Sequence, residues 1–381
     1  MNLLIHDLKP EEWERIKESW IGWHVVSDDG RIRPCVGCFS CWNRTPGQCV
    51  VKDGYDDIGV RIHRADEVAV ISRYTYGGFS GFVKNVFDRC IGYALPQFEV
   101  IDGETHHMKR YDEDKPYTFI FYGRALSEDE KERARSYVRA VCANTRGHVK
   151  AVRFLESPGE PSAADRRLPV PSGKVALLNG SMRAVHGNSA KLARKLAGWV
   201  RRDTETVDLR EYIGDLSKLI PRIAEASDIV LCTPLYVDRL PSQVVRFMEA
   251  AQRDYSGASK RVYVLANMGL YESKQLVHLF AAVRQWCDVM GFEYCGGVGV
   301  SAGELVGVLS QHLPFSVGFT KDVARGIRRL AQAIDDGVAA GEIYAEPFCF
   351  PRWLYIRIAN QGWKRMARAN GIRPEELYRK L

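Results

Sequence analysis

A repeating grammar of strand, polar turn and helix constrains this chain more than any other feature. KVALLNGS, SDIVLCTPLY and RVYVLANMG are short apolar runs that end in turn residues. Between them lie stretches with helical spacing, such as NSAKLARKLAGWVRR and PSQVVRFMEAAQRDY. Strands that are apolar on both faces and alternate with helices predict a parallel sheet covered on both sides, an α/β fold. The grammar occurs twice. RADEVAVISRYTYGGFSGFVKNVFDR, from Arg64, aligns without a gap on ASDIVLCTPLYVDRLPSQVVRFMEAA, from Ala226. An offset of 162 pairs Asp66 with Asp228, Tyr74 with Tyr236, Ser80 with Ser242 and Lys84 with Arg246. With 381 residues the chain is long enough for two domains. The stretch SPGEPSAADRRLPVPSG, rich in Pro, Gly, Ser and charge, reads as the linker between them. The expected division is a first module over 1–156, a linker over 157–173, a second module over 174–341 and a basic aromatic extension over 342–381.

The net charge of +7 is mild for this length, and no nucleic-acid module is recognisable. The C-terminal segment RWLYIRIANQGWKRMARANGIRPEELYRKL interleaves its charges with apolar residues and reads as an amphipathic cap. No secretory signal pattern and no run of about 20 apolar residues is found, so the expected location is cytoplasmic, without a membrane or nucleic-acid partner.

The loop VALLNGSMRAVHGNSAKLARKL joins a strand to a helix. Gly180 permits a tight turn, and Ser181, Met182, Arg183, Asn188 and Ser189 line a seat for a phosphate at the helix N-terminus. An ordinary strand–helix turn capped by Ser and Asn explains the same loop. Two further strand-end loops accompany it. Pro234, Leu235, Tyr236 and Val237 offer a surface for a flat ring, and Asn267, Met268 and Gly269 close a third strand. In α/β sheets ligands collect at such carboxyl ends.

GSMRAVHGNS, TPLY and ANMGLYE together resemble the motifs of the NADPH-dependent FMN reductases, a branch of the flavodoxin-like family. The third match is loose, because Leu270-Tyr271-Glu272 stands where that family often has Phe-Pro-Glu. The resemblance implies two flavodoxin-like, doubly wound parallel-sheet modules in tandem. It implies FMN as cofactor, NAD(P)H as hydride donor and a small-molecule or redox-protein acceptor. It also implies a pseudo-dimer within one chain. A further homodimer is left open, and the catalytic chemistry would be borne by the flavin.

The first half departs from this plan. After NLLIHDL come Asp7, Glu11, Glu12 and Glu14, which would repel a phosphate. Its loop Tyr74-Thr75-Tyr76-Gly77-Gly78 either packs internally or covers a flavin held by the second half. It also carries Cys35, Cys38, Cys41 and Cys49, spaced C-x2-C-x2-C-x7-C, among ten cysteines in all. Four soft ligands in one loop suit a 4Fe–4S cluster or zinc; metal-free structural or redox thiols explain them too. The spacing resembles that of the iron–sulfur flavoproteins, which implies an alternative role as an electron carrier serving a ferredoxin-like partner. His106 and His107, among flanking charges, read as part of a solvated loop.

Overall fold

The computed structural model describes residues 1–156, 173–312 and 314–381. The expected linker, apart from Gly173, lies outside the described residues. The chain divides into two compact units, Met1–Pro161 with Ile356–Leu381, and Ser162–Tyr355.

The first unit contains strands β1 (Asn2–His6), β2 (Trp23–Ser27), β3 (Val68–Arg73), β4 (Ala94–Ile101), β5 (Glu104–Lys109), β6 (Lys115–Gly123) and β7 (Gly147–Glu156). Its helices are α1 (Pro10–Ile16), α2 (Ser40–Asn43), α3 (Ile58–Arg64), α4 (Gly81–Arg89) and α5 (Glu128–Thr145). Five strands form a parallel sheet in the order β2-β1-β3-β6-β7. Leaving aside the antiparallel hairpin β4–β5, that is the 2-1-3-4-5 order of flavodoxin-like sheets. The two faces are unequally covered. Along β6, Tyr117, Phe119 and Phe121 are buried and alternate with half-buried Thr118, Ile120 and Tyr122. Phe79 stacks on Phe119 and Phe121 of the buried row and meets Tyr137 edge-on. The other row meets Trp13 and Ile16 of the short α1, together with Trp20 and Trp23.

The second unit contains β8 (Lys174–Asn179), β9 (Thr204–Asp208), β10 (Ala226–Pro234), β11 (Arg261–Asn267), β12 (Glu293–Val300) and β13 (Gly341–Ala345). Its helices are α6 (Asn188–Ala197), α7 (Ile220–Ala224), α8 (Ser242–Asp254), α9 (Val277–Met290), α10 (Gly303–His312) and α11 (Lys321–Asp336). The parallel order β9-β8-β10-β11-β12-β13 repeats that of the first sheet and adds a sixth strand. Here both faces are covered, and β11 is buried along its whole length. Leu192 and Leu196 of α6 and Ile327, Leu330 and Ile334 of α11 share one core with Val230, Leu265 and Val298. The i, i+3, i+7 spacing on α11 makes that face continuous.

Beyond position 341, β13 still belongs to the second sheet, so the module reaches past the expected boundary. Helix α12 (Arg352–Ala369) follows. Its residues from Ile356 onward group with the first unit. There Trp363, Ala367 and Leu377 pack on Trp42, and Arg110 donates to the carbonyls of Leu377 and Arg379 at 2.8 and 2.7 Å. Among the described residues no helix is long and apolar enough to cross a membrane.

The hydrogen bonds shift the internal correspondence by one residue from the sequence alignment. Lys115 donates to the carbonyls of His63 and Ala65; Lys260 donates to those of Ala224 and Ala226. Thr75 bridges Gly78, and Tyr236 bridges Arg239. Tyr236 stands 161 residues after Thr75, and Ala226 stands 161 after Ala65. The offset of 162 matched like side chains, Asp with Asp and Tyr with Tyr, whereas the backbone equates Thr75 with Tyr236.

Candidate functional site

The carboxyl ends of β8, β10 and β11 lie side by side at the centre of the second sheet. Three loops leave them, and side chains tie the loops together. Ser181 donates its N–H to Asn179 Oδ1 at 3.2 Å, and its hydroxyl accepts from the N–H of Arg183 at 3.3 Å. The loop then makes one 3-10 turn, Ala184–His186, before α6 begins. The amides of the first turn of α6 have no partner within the helix, which makes that end an acceptor-seeking, positive pole. Close packing fixes the loop. A Cβ on Gly180 would come within 2.6 Å of Val244, and one on Gly187 within 2.5 Å of the Ser181 hydroxyl.

Ser189, in the first turn of α6, donates to Asn267 Oδ1 at 2.6 Å, with both side chains buried. Asn267 ends β11, and its carbonyl accepts from Leu235 at 2.8 Å. The loops of Ser181–Ser189, Pro234–Val237 and Asn267–Gly269 are thereby joined through one residue. Met268 donates to Val300 at 3.0 Å, and Gly303, opening α10, donates to Met268 at 2.7 Å. A Cβ on Gly307 of α10 would lie 2.5 Å from Asn188 Oδ1, so α10 rests on the phosphate-type loop. Its Glu304 pairs with Arg183 at 3.2 Å.

The middle loop is a tight turn with φ of +40° at Val237 and +59° at Asp238. A β-branched residue in that region is strained, and such strain gathers at functional sites. Pro234, Leu235, Tyr236 and Val237 are half-buried, Gly269 is exposed, and nothing lies within 4 Å of where a Gly269 Cβ would stand. Two buried polar atoms beside these strand ends lack a partner among the described residues: Gln243 Oε1, whose amide nitrogen donates to Gly180 at 2.8 Å, and Ser301 Oγ. Packed glycines, first-turn amides, buried hydroxyls and an open flank beside the middle loop fit a group that carries both a phosphate and a flat ring.

Sequence reasoning missed three contributors. Glu304 opposes Arg183, and Tyr355 donates its hydroxyl to the Gly269 carbonyl. Arg352 pairs with Glu272 at 3.0 Å. All are far in sequence from the motifs they touch, and no local pattern marks them.

The corresponding end of the first sheet is built differently. Asp7 stands where Gly180 stands: Asp7 N–H bonds Ile71, as Gly180 N–H bonds Cys232. Both Asp7 carboxylate oxygens accept from the Arg73 N–H at 3.1 Å. Burial outweighs these bonds and raises the carboxyl to about 6. Tyr74, Tyr76, Gly77 and Gly78 are buried, with Tyr76 and Gly77 at φ of +48° and +90°.

The four cysteines of the first unit lie near enough to influence one another electrostatically. Burial pushes Cys35 up to about 12 and Cys41 well above the thiol range, and neighbouring thiols add to both shifts. Cys41 is buried on α2, while Cys38 is exposed. Among the described residues no three His, Cys, Asp or Glu side chains are arranged to hold a metal ion. Cys35, Cys38, Cys41 and Cys49 form no such group, so a 4Fe–4S cluster has no support from the described residues. His106 and His107 depart from the expected solvated loop. They lie on β5, where His106 meets Asn144 at 3.1 Å, and burial lowers His107, packed on Trp42, to about 4.

Residues 173–303, about a third of the chain, match the family model described as NADPH-dependent FMN reductase. No curated protein matches the chain. Among solved structures, the Trp repressor binding protein from Bacillus subtilis is 20% identical, covering 42% of this chain and 95% of its own at a TM-score of 0.30. A flavone reductase is 11% identical, covering 48% and 70% at a TM-score of 0.33. An azoreductase from Bacillus anthracis str. Sterne is 12% identical, covering 43% and 99% at a TM-score of 0.30.

Proposed function

We propose that the second unit binds FMN at the carboxyl ends of β8, β10 and β11, and that the chain is an NAD(P)H-dependent flavin oxidoreductase. One observation carries this reading. The stretch that matches the FMN reductase family model, 173–303, includes all three loops joined through Asn267. In this reading Ser181, Arg183, Asn188 and Ser189, with the first-turn amides of α6, hold the phosphate. Pro234–Val237 would offer the surface for a flat ring, and Asn267–Gly269 the polar groups beside it. The bound cofactor supplies hydride acceptance from a nicotinamide and return of the two electrons to an acceptor. The protein's part is to fix orientation and restrict water, so no acid–base pair is required. The proposed activity uses no metal cluster.

The test is a titration of purified protein with FMN, followed by flavin fluorescence, and then aerobic oxidation of NADPH and NADH. Saturable quenching and flavin-dependent nicotinamide oxidation are expected. Protein that stays colourless after incubation with FMN would sink the reading.

A further inference from the structure

The third loop of the candidate site gives up three consecutive carbonyls to groups outside it. Met268 accepts from the N–H of Gly303 and Leu270 from that of Ala302, both at 2.7 Å. Between them, the Gly269 carbonyl accepts the hydroxyl of Tyr355. All these residues belong to the second unit. Gly269 is exposed, and nothing stands within 4 Å of where its Cβ would be. With its carbonyl taken, its N–H is the polar group it has left for a ligand.

Tyr355 reaches the loop because the segment after β13 is laced along it. Ser273 donates its N–H and its hydroxyl to Glu346 Oε1, at 3.0 and 3.1 Å. Tyr271 donates to the Phe350 carbonyl, and Arg352 pairs with Glu272. The Tyr271 and Tyr355 rings meet at 5.7 Å, and Tyr355 is 5% exposed. Burial, with the charges of Glu304 and Glu272 added, pushes the Tyr355 hydroxyl well above the usual phenol range, so it stays a donor. The bonds of Tyr271, Ser273 and Arg352 already fasten the segment to the far end of the loop. Of these four residues, Tyr355 is the one that reaches Gly269, on the open flank of the site.

We propose that Tyr355 is a positioning residue for the flavin ring, whose hydroxyl fixes the Gly269 peptide and keeps its N–H available to the polar edge of the ring. This rests on the flavin reading above. A donor held in place needs no reorganisation as charge develops, so it favours the reduced, more electron-rich form of the ring over the oxidised one. The ring of Tyr355 serves packing; its hydroxyl serves the site.

The test titrates full-length wild type, Tyr355→Phe and Ser273→Ala with FMN and with riboflavin, followed by flavin fluorescence, and reads the midpoint potential of bound FMN. Ser273→Ala removes another hydroxyl bond between the same segment and the same loop, and is the control. Tyr355→Phe is expected to weaken FMN and riboflavin by one common factor, about three- to tenfold, since the defect lies at the ring. Reduced FMN should lose about threefold more than oxidised FMN, which lowers the midpoint by about 14 mV at about 30 mV per tenfold. Ser273→Ala is expected to match wild type for both ligands and in midpoint. Tyr355→Phe at wild-type affinity and midpoint overturns the assignment, as does a loss confined to FMN or an equal loss in Ser273→Ala. Should Tyr355→Phe not fold, hydrogen exchange on wild type decides. Riboflavin is expected to slow the amides of both 267–273 and 346–355, and a 346–355 segment left unchanged overturns the assignment. Wild type that binds neither FMN nor riboflavin sinks the flavin reading itself, so the two failures are distinguishable.

Discussion

Replacing Ser189 with Ala tests whether one buried hydrogen bond holds the candidate site together. The Ser189 hydroxyl is 1% exposed, Asn267 is 6% exposed, and the bond between them measures 2.6 Å. Alanine keeps the helix and removes only the donor, leaving Asn267 Oδ1 without it in a site that water reaches poorly. A buried polar atom stripped of its partner costs about 1–3 kcal/mol. Loss of stability should therefore fall in that range for the second unit, and the loop seating the phosphate is freed from the loop carrying Asn267. If the same bond preorganises the site, FMN affinity falls by about 5–150-fold. The assay pairs urea unfolding, with and without FMN, with a fluorescence titration. In unfolding without FMN, adding Asn267→Ala should cost less than the sum of the two single changes, since both remove the same hydrogen bond. A Ser189→Ala protein that keeps wild-type stability and FMN affinity would refute the idea that this bond joins the loops.

Other expectations follow from the same geometry. If Arg183 holds a phosphate, Glu304 competes for it across an exposed pair worth about 0.2–1 kcal/mol. Glu304→Gln should tighten FMN by up to about fivefold and leave riboflavin, which lacks the phosphate, unchanged in a parallel titration. Val237→Gly should relieve the +40° φ and raise stability by up to about 1 kcal/mol in thermal unfolding, while loosening the ring-side turn. Asp7 is raised from its usual value to about 6, so the fold prefers it protonated. Its contribution is fully present below the unfolded value, near pH 4, and is lost as pH rises through about 6. Asp7→Asn should therefore gain about 1–3 kcal/mol over wild type at pH 7.5 and little at pH 4, read from urea unfolding at both. His6, lowered by burial to about 4, has the opposite pH sign and is common to both proteins.

The sheet and its loops were legible because strands buried on both faces leave continuous apolar runs. β10 and β11 are such runs, and their ends carry Pro234 and Asn267 where the sequence places turns. What the sequence hides is whatever depends on backbone register or distant contact. The 161 spacing escaped an alignment of side chains, because the bulge between Ala226 and Asp228 and the two tight turns are set by hydrogen bonds. β13 escaped because Gly341–Ala345 is an edge strand, short and only half-buried. The histidines of β5 escaped because charges on either side of a hairpin resemble a loop until the partner strand covers it. Cysteine spacing said that four thiols were close along the chain; it could not say that Cys41 turns inward on α2 while Cys38 faces water.

The two sheets show how little backbone must change for one end to suit an anion and the other to exclude it. Both use the same strand order, the same buried lysine bonded to two carbonyls and the same bridged turn after the third parallel strand. The difference lies in a few side chains. At Gly180 the loop packs close enough that any Cβ would strike Val244, and residues 181–187 form a loop before α6 begins at Asn188. At Asp7 a carboxylate takes the Arg73 N–H for itself, and Pro10 starts a seven-residue helix almost at once. A phosphate brought there would meet a half-buried acid in place of first-turn amides. The turns diverge in the same sense: Thr75–Gly78 is buried throughout, whereas the matching Tyr236–Arg239 leaves Tyr236 and Val237 half-buried. Asymmetry of chemistry on a shared scaffold is thus the physical ground for assigning the cofactor to the second sheet.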